Sequence, residues 1–197
     1  MKKTVVFILV LALLFCGCSP KASKERTMPK CFNSTAEIEF DGMTYEAILN
    51  RMADGWWEVE LCAPEAVKGL VFTISGEDTE ISFKGLHFTF DTSKFPVGSV
   101  VSIAVKSFDR LAPLALEVVE GESTDFASGN IDGMAYSLTL GKNGIPQTLE
   151  LGDCGMKITF TSFEEVEESQ QPVPEIDITN DNPASKGKVE IVTDDGV

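Results

Sequence analysis

One histidine and five cysteines are the side chains of this 197-residue chain best suited to acid–base, nucleophilic or metal chemistry, and their surroundings argue against all three. His87 lies in Leu86-His87-Phe88-Thr89-Phe90, on the face of an alternating segment opposite the large apolar residues, so it is expected at the surface. As a general base it would need a carboxylate and a nucleophile, and the spacing proposes neither. Ser75-Gly76-Glu77 and Gly121-Glu122-Ser123 read as turns and lack the G-x-S-x-G arrangement that presents a nucleophile. The Cys-x-x-Cys and Cys/His spacings of a zinc site are absent, as are phosphate-binding glycine loops and calcium-loop spacing. Glu164, Glu165, Glu167 and Glu168 read as a solvated charge run. The expectation is a non-enzyme with no catalytic residue, metal or cofactor. What the chain offers instead is apolar. Trp57, Phe72, Phe83, Phe88, Ile103, Phe108, Leu111, Met134 and Tyr136 could line a lipid-holding cavity, since such sites are concave, mostly apolar and sparsely polar. They could equally fill a solid core at the usual density of about 0.75.

The cysteines divide by position. Lys2 and Lys3 begin the chain, Thr4 to Phe15 is an almost unbroken apolar run, and Phe15-Cys16-Gly17-Cys18 follows. This resembles a bacterial lipoprotein signal, with Gly17 suited to the position before the cleaved bond and Phe15 where such signals usually carry Leu. A helix of about 12 residues spans only about 18 Å, short of a hydrocarbon core of about 30 Å, so export fits better than a permanent span. The resemblance implies that Cys18 becomes the lipidated first residue, with palmitate among its acyl chains, on the extracytoplasmic face of the cell membrane. An ordinary secretory signal, or a buried helix, is the other reading. Cys31, Cys62 and Cys154 remain in the mature chain, an odd number whose pairing the sequence leaves open, including the reading that all three are free.

Charge divides the chain further. Ser19 to Lys30 carries four basic residues and one acidic one, and reads as a flexible tether suited to anionic head groups. Cys31 to Phe163 holds 20 acidic against 8 basic residues, and the stretch from Glu164 holds 10 against 2. Such acidity excludes nucleic acid as a partner, because that binding rests on Lys and Arg neutralising phosphate. The expected divisions are therefore 1–17 as signal, 18–30 as lipidated cysteine and tether, 31–163 as one folded domain, and 164–197 as an acidic, mostly disordered tail.

Within the domain the apolar period is two nearly throughout. Ala36, Ile38 and Phe40 alternate with Glu37, Glu39 and Asp41; Asp41-Gly42 supplies a hairpin turn into Met43, Tyr45, Ala47 and Leu49. Trp57, Val59 and Leu61 follow, with Trp56 facing the other way, then Leu70 to Ile74, Ile81 with Phe83, and Leu86 to Phe90. Val100, Ile103, Ala104, Ser107, Phe108 and Leu111 form the one helical stripe, with Ser99 as N-cap and Pro113 as its stop. After a loop through Gly121 come a strand near Phe126, then Met134 to Leu140, Leu149 with Leu151, and Met156 to Phe160. About nine one-faced strands and one helix imply a mainly β fold with a central helix: an antiparallel curved sheet, an incomplete barrel wrapped on that helix. On this reading Ile103→Asp should unfold the domain, by placing an unpaired charge at the helix–sheet contact.

The same pattern is similar to the superfamily of the outer-membrane lipoprotein carrier LolA and its lipoprotein counterpart LolB, and to related Gram-positive lipoproteins of sporulation and germination. The likeness is carried by Gly55-Trp56-Trp57-Glu58-Val59-Glu60 with Pro64 and Gly69-Leu70-Val71-Phe72, by Lys84-Gly85-Leu86, and by Pro96-Val97-Gly98-Ser99 leading into the helix. Tyr136-Ser137-Leu138, Gly144-Ile145-Pro146 and Ile158-Thr159-Phe160 continue it. The resemblance implies a half-barrel, often with a hydrophobic cavity for an acyl chain. The function expected is a membrane-anchored lipoprotein that binds a lipid or the acylated end of another lipoprotein. The alternative is a solid-cored scaffold or chaperone for an envelope or spore-cortex protein.

Overall fold

A computed structural model describes residues 23–167 of the chain. The signal, Cys18 and most of the acidic tail lie outside the described residues. Twelve strands form one sheet: β1 (Ser23–Arg26), β2 (Phe32–Phe40), β3 (Met43–Ala53), β4 (Trp56–Ala63), β5 (Leu70–Ser75), β6 (Asp78–Phe83), β7 (Leu86–Asp91), β8 (Leu116–Glu120), β9 (Thr124–Ile131), β10 (Met134–Gly141), β11 (Pro146–Leu151) and β12 (Met156–Glu165). One α-helix, α1 (Val100–Leu111), separates β7 from β8 and follows a short 3-10 turn at Thr92–Lys94. The strand order is β1-β8-β9-β10-β11-β12-β2-β3-β4-β5-β6-β7. Every neighbouring pair is antiparallel, and β1 and β7 are left as the two edges.

Local chemistry explains the meander. Asp41-Gly42, Lys84-Gly85 and Asp132-Gly133 all hold positive φ at both residues (51° and 74°, 50° and 82°, 51° and 87°), the backbone that a two-residue hairpin turn demands. The strands between them are apolar on one face only. Pairing carries that face across the sheet without a break in parity: Leu138 faces Leu149, Leu149 faces Ile158, Ile158 faces Ile38, and Ile38 faces Tyr45. Farther along, Leu49 faces Val59, Val59 faces Phe72, and Phe72 faces Ile81.

The sheet curls around α1. Strands β4 and β9 stand six places apart in the order, which on a flat sheet would separate them by about 29 Å at about 4.8 Å per strand. Yet α1, about 10 Å across, touches both ends of that span. Its Phe108 ring lies 5.9 Å from Trp57 of β4, and its Arg110 bridges at 3.0 Å to Asp132 in the turn after β9. Ser99 caps the helix by accepting from the Ser102 N–H at 3.2 Å, and the helix stops just before Pro113. Val100, Val101, Ala104, Val105, Phe108 and Leu111 are buried against the sheet. The curved antiparallel sheet wrapped on one helix is therefore the fold.

The structure differs from the sequence reading at four places. Among the described residues there are twelve strands where about nine were expected. Ser23–Arg26, inside the expected tether, is a strand that pairs with β8, and Met28 after it is buried. Leu116–Glu120 is a strand where a loop was expected, with Leu116 and Val118 turned inward. β12 runs on to Glu165, two residues into the expected tail, because Glu164 and Glu165 pair with Asn33 and Phe32.

Candidate functional site

The nine residues expected to line a cavity do not share one environment. Trp57, Phe72, Phe108, Leu111 and Tyr136 are buried in the core between helix and sheet. Phe108 is the hub, its ring 5.7 Å from Phe32, 5.9 Å from Trp57 and 5.7 Å from Phe160. Ile103 and Met134 are half-buried at the margin of that core. Phe83 is half-buried and Phe88 is 59% exposed. The helix thus fills the hollow along most of its length.

The cover ends at one corner. In the cross-strand row Trp57–Ile74–Thr79–Phe90, the first three side chains are sealed, and Phe90 packs on Phe95 with ring centroids 6.1 Å apart. In the next row Val59 and Phe72 are buried, Ile81 is half-buried and Phe88 is open. Leu86, on the same face of β7, is 59% exposed as well. The inner face therefore reaches solvent at the edge strand, where neither helix nor 3-10 turn overlies it.

Two polar clusters cross the apolar interior, and neither was found from the sequence. The first joins β3, β4 and α1. Arg51, 2% exposed, lies 2.9 Å from Asp109 Oδ1, and Trp57 Nε1 donates to the same carboxylate at 3.0 and 3.2 Å. The guanidinium also donates to the Lys30 carbonyl and stands over the Trp57 ring at 5.7 Å. Burial pushes the Asp109 carboxyl above its usual range, with Arg51 and Trp57 pulling the other way. The second cluster lies at the other end of the sheet. Asp125, 1% exposed, accepts from Lys142 Nζ at 2.7 Å and from Arg26 Nη2 at 3.2 Å, which ties β1 to β9.

Lys142 above all, with help from Arg26, holds the Asp125 carboxyl below its ordinary value of 3.8. A depressed folded pKa means that the unfolded chain takes up the proton first. The stabilisation is complete above 3.8 and is lost as pH falls through the lower, folded value. Asp125→Asn should therefore flatten the acid limb of a urea-midpoint against pH curve below about pH 4, and leave its shape near pH 7 unchanged. An acid limb as steep as that of the parent chain would contradict this.

Beside the Asp125 cluster an open groove of about 1000 Å³ runs between the chain entering β2 and the end of β12. Met28 and Pro29 line it from the N-terminal side, Pro113 from beyond the helix, Ile145 from the β10–β11 turn, and Phe163 and Val166 from β12 and beyond. Arg26 and Lys30 stand at the same groove with Glu165 and Glu167. Arg26 Nε is buried without a hydrogen-bond partner, and its Nη1 lies 2.4 Å from where a Cβ on Gly144 would be, so a side chain there would push the guanidinium aside. None of the nine expected lining residues reaches this groove. Their alternation marks the inner face, whereas the groove is made by chain ends that meet only in three dimensions.

The remaining candidates are dispersed. His87 lies on the outer face with Nδ1 3.0 Å from Glu80, a carboxylate supplied by the neighbouring strand. No disulfide joins Cys31, Cys62 and Cys154; the Cys31 thiol donates to the Met52 carbonyl at 2.9 Å, and burial with Glu60 and Glu46 nearby pushes the Cys62 thiol up. Trp56 is half-buried on the outer face. Among the described residues, no three His, Cys, Asp or Glu side chains come together as a metal site would require, and no helix is long and apolar enough to cross a membrane. Cys18 lies outside the described residues.

No family model matches the sequence, and no curated protein matches it. Among solved structures the chain is similar to an uncharacterised conserved protein from Thermus thermophilus, at 10% identity and a TM-score of 0.47, covering 74% of this chain and 87% of that one. It is also similar to a LolA superfamily protein from Nitrosomonas europaea, at 10% identity and a TM-score of 0.36, covering 80% of this chain and 92% of that one.

Proposed function

We propose that this chain is a non-enzymatic lipoprotein, tethered through Cys18 to the extracytoplasmic face of a membrane, that binds a hydrophobic ligand with an anionic end. The observation that carries the reading is the groove of about 1000 Å³, which brings apolar Met28, Pro29, Ile145, Phe163 and Val166 together beside Arg26 and Lys30. That volume matches a lipid-sized ligand. An acyl chain fits the apolar lining, and a phosphate or carboxylate would meet Lys30 and the Arg26 guanidinium beside it, in competition with Asp125, Glu165 and Glu167. A lipid or the acylated end of another lipoprotein satisfies both requirements.

Lipid extraction and native mass spectrometry of protein purified from membranes should find a co-purifying amphiphile, and the purified chain should take up an apolar fluorophore. Ile145 is 37% exposed in the groove wall, so Ile145→Asp should leave the fold intact and weaken fluorophore uptake by about tenfold or more, the effect of an unpaired charge in an apolar seat. Absence of lipid together with absence of uptake would reject the proposal. A second reading is favoured by the filled interior: a solid-cored scaffold for an envelope or spore-cortex protein, which crosslinking to one abundant partner, with no bound lipid, would support.

A further inference from the structure

We infer that β7 is a self-complementary edge, through which two copies of this chain pair antiparallel about a two-fold axis at Thr89. The inference is independent of the groove and its ligand. Phe83 and Leu86 close the two-residue turn Lys84-Gly85 and so exchange hydrogen bonds. Alternation along the antiparallel pair then turns the backbone of His87, Thr89 and Asp91 away from β6, toward solvent. Such an edge invites another strand unless it is blunted by charge, proline or a bulge. The opposite edge is blunted: β1 is four residues long and carries Lys24, Glu25 and Arg26. The six residues of β7, LHFTFD, contain no proline, no lysine and no register shift.

The side chains choose a second copy of the same strand, and they choose its register. With Thr89 facing Thr89 of the other copy, Phe88 stands opposite Phe90 on the inner face in both directions. That arrangement places the open Phe88 beside a second aromatic. On the outer face His87 falls opposite Asp91. The His87 Nδ1 already meets Glu80 at 3.0 Å, which leaves Nε2 to donate to the incoming carboxylate. Asp91 accepts from the Ser93 N–H through Oδ1 at 2.8 Å and from the Ser93 side chain, and a carboxylate's four lone pairs leave capacity for that bond. With both ring nitrogens protonated, His87 would stand as a cation between two carboxylates, and symmetry supplies the contact twice. The neighbouring register, with Phe88 facing itself, sets His87 against Thr89 and loses both pairs.

Sedimentation velocity of the purified chain across micromolar concentrations should show a reversible dimer. Under mild oxidation Thr89→Cys should give a covalent dimer that neither the parent chain, with its own cysteines, nor Phe88→Cys gives. His87→Glu should raise the dimer Kd by about tenfold or more while His87→Lys keeps it near the parent value, with unchanged circular dichroism in both. A monomer at every concentration, crosslinking through Phe88→Cys instead, or a His87→Glu variant that dimerises as before would overturn the assignment.

Discussion

Asp109→Ala should lower the stability of the domain by about 3 to 5 kcal/mol, read as a shift of the urea or thermal midpoint. The size follows from what is left behind. Arg51 is 2% exposed, and without Asp109 its charge keeps the Lys30 carbonyl but loses its one close, well-covered carboxylate, because Asp54, at 3.4 Å, is itself open to solvent. Trp57 Nε1, in a fully buried ring, loses its acceptor at the same time. Replacing both ends of the ion pair, as Arg51→Met with Asp109→Leu, should cost much less, since a buried pair is roughly neutral against apolar groups of similar shape. The residual loss should be about 1 to 3 kcal/mol for the orphaned indole N–H. A double variant as damaged as the single one would show that the pair itself, and not the orphaned charge, carries the energy. Asp109 also acts on pH dependence in the direction opposite to Asp125. Its carboxyl is raised, so the folded state holds the proton more tightly, and stability falls as pH rises from 3.8 through the folded value.

Alternation in the sequence located the sheet because each strand needs only its own residues to show which face is wet. Ile38, Leu49, Val59 and Leu138 all fall on the inner face that their spacing marked. The signal failed where a strand owes its position to a distant partner. Ser23–Arg26 has no apolar alternation at all, and it is held by pairing with β8 and by Arg26 reaching Asp125, 99 residues away. Leu116–Glu120 did carry a signal in Leu116 and Val118, but it is five residues long and runs straight into Gly121. The Arg51 cluster was also partly visible. Arg51 continues the series Ala47 and Leu49, so its parity points a cation inward, and an inward cation requires an anion. Which anion it takes could not be read, because Asp109 lies off the helical stripe and 58 residues away. The strand near Phe126 was legible but not its faces: pairing puts Ala127 and Asp125 on the inner face and leaves Phe126 47% exposed. The groove was invisible for a simpler reason, since its walls are segments whose ends meet only after folding.

Phe108→Ala should cost about 3 to 5 kcal/mol, which for a domain of this size lowers Tm by about 6 to 20 °C. The Phe108 ring meets Phe32 of β2, Trp57 of β4 and Phe160 of β12, so truncation opens one cavity bordered by three strands, and the curled backbone cannot close on it from any single side. The comparison with Ile103 follows from burial. The sequence put Ile103 on the helical stripe and predicted unfolding for Ile103→Asp. In the structure Ile103 is half-buried at the edge of the core, while Val101, Ala104, Val105, Phe108 and Leu111 face it. A carboxylate at 103 can turn toward water, so Ile103→Asp should cost less than Phe108→Ala despite its charge. Thermal melts of the two variants side by side decide the orientation of the helix. If Ile103→Asp proved the more damaging, α1 would have to be rotated about its axis relative to the sheet, and the ring contacts of Phe108 would go with it.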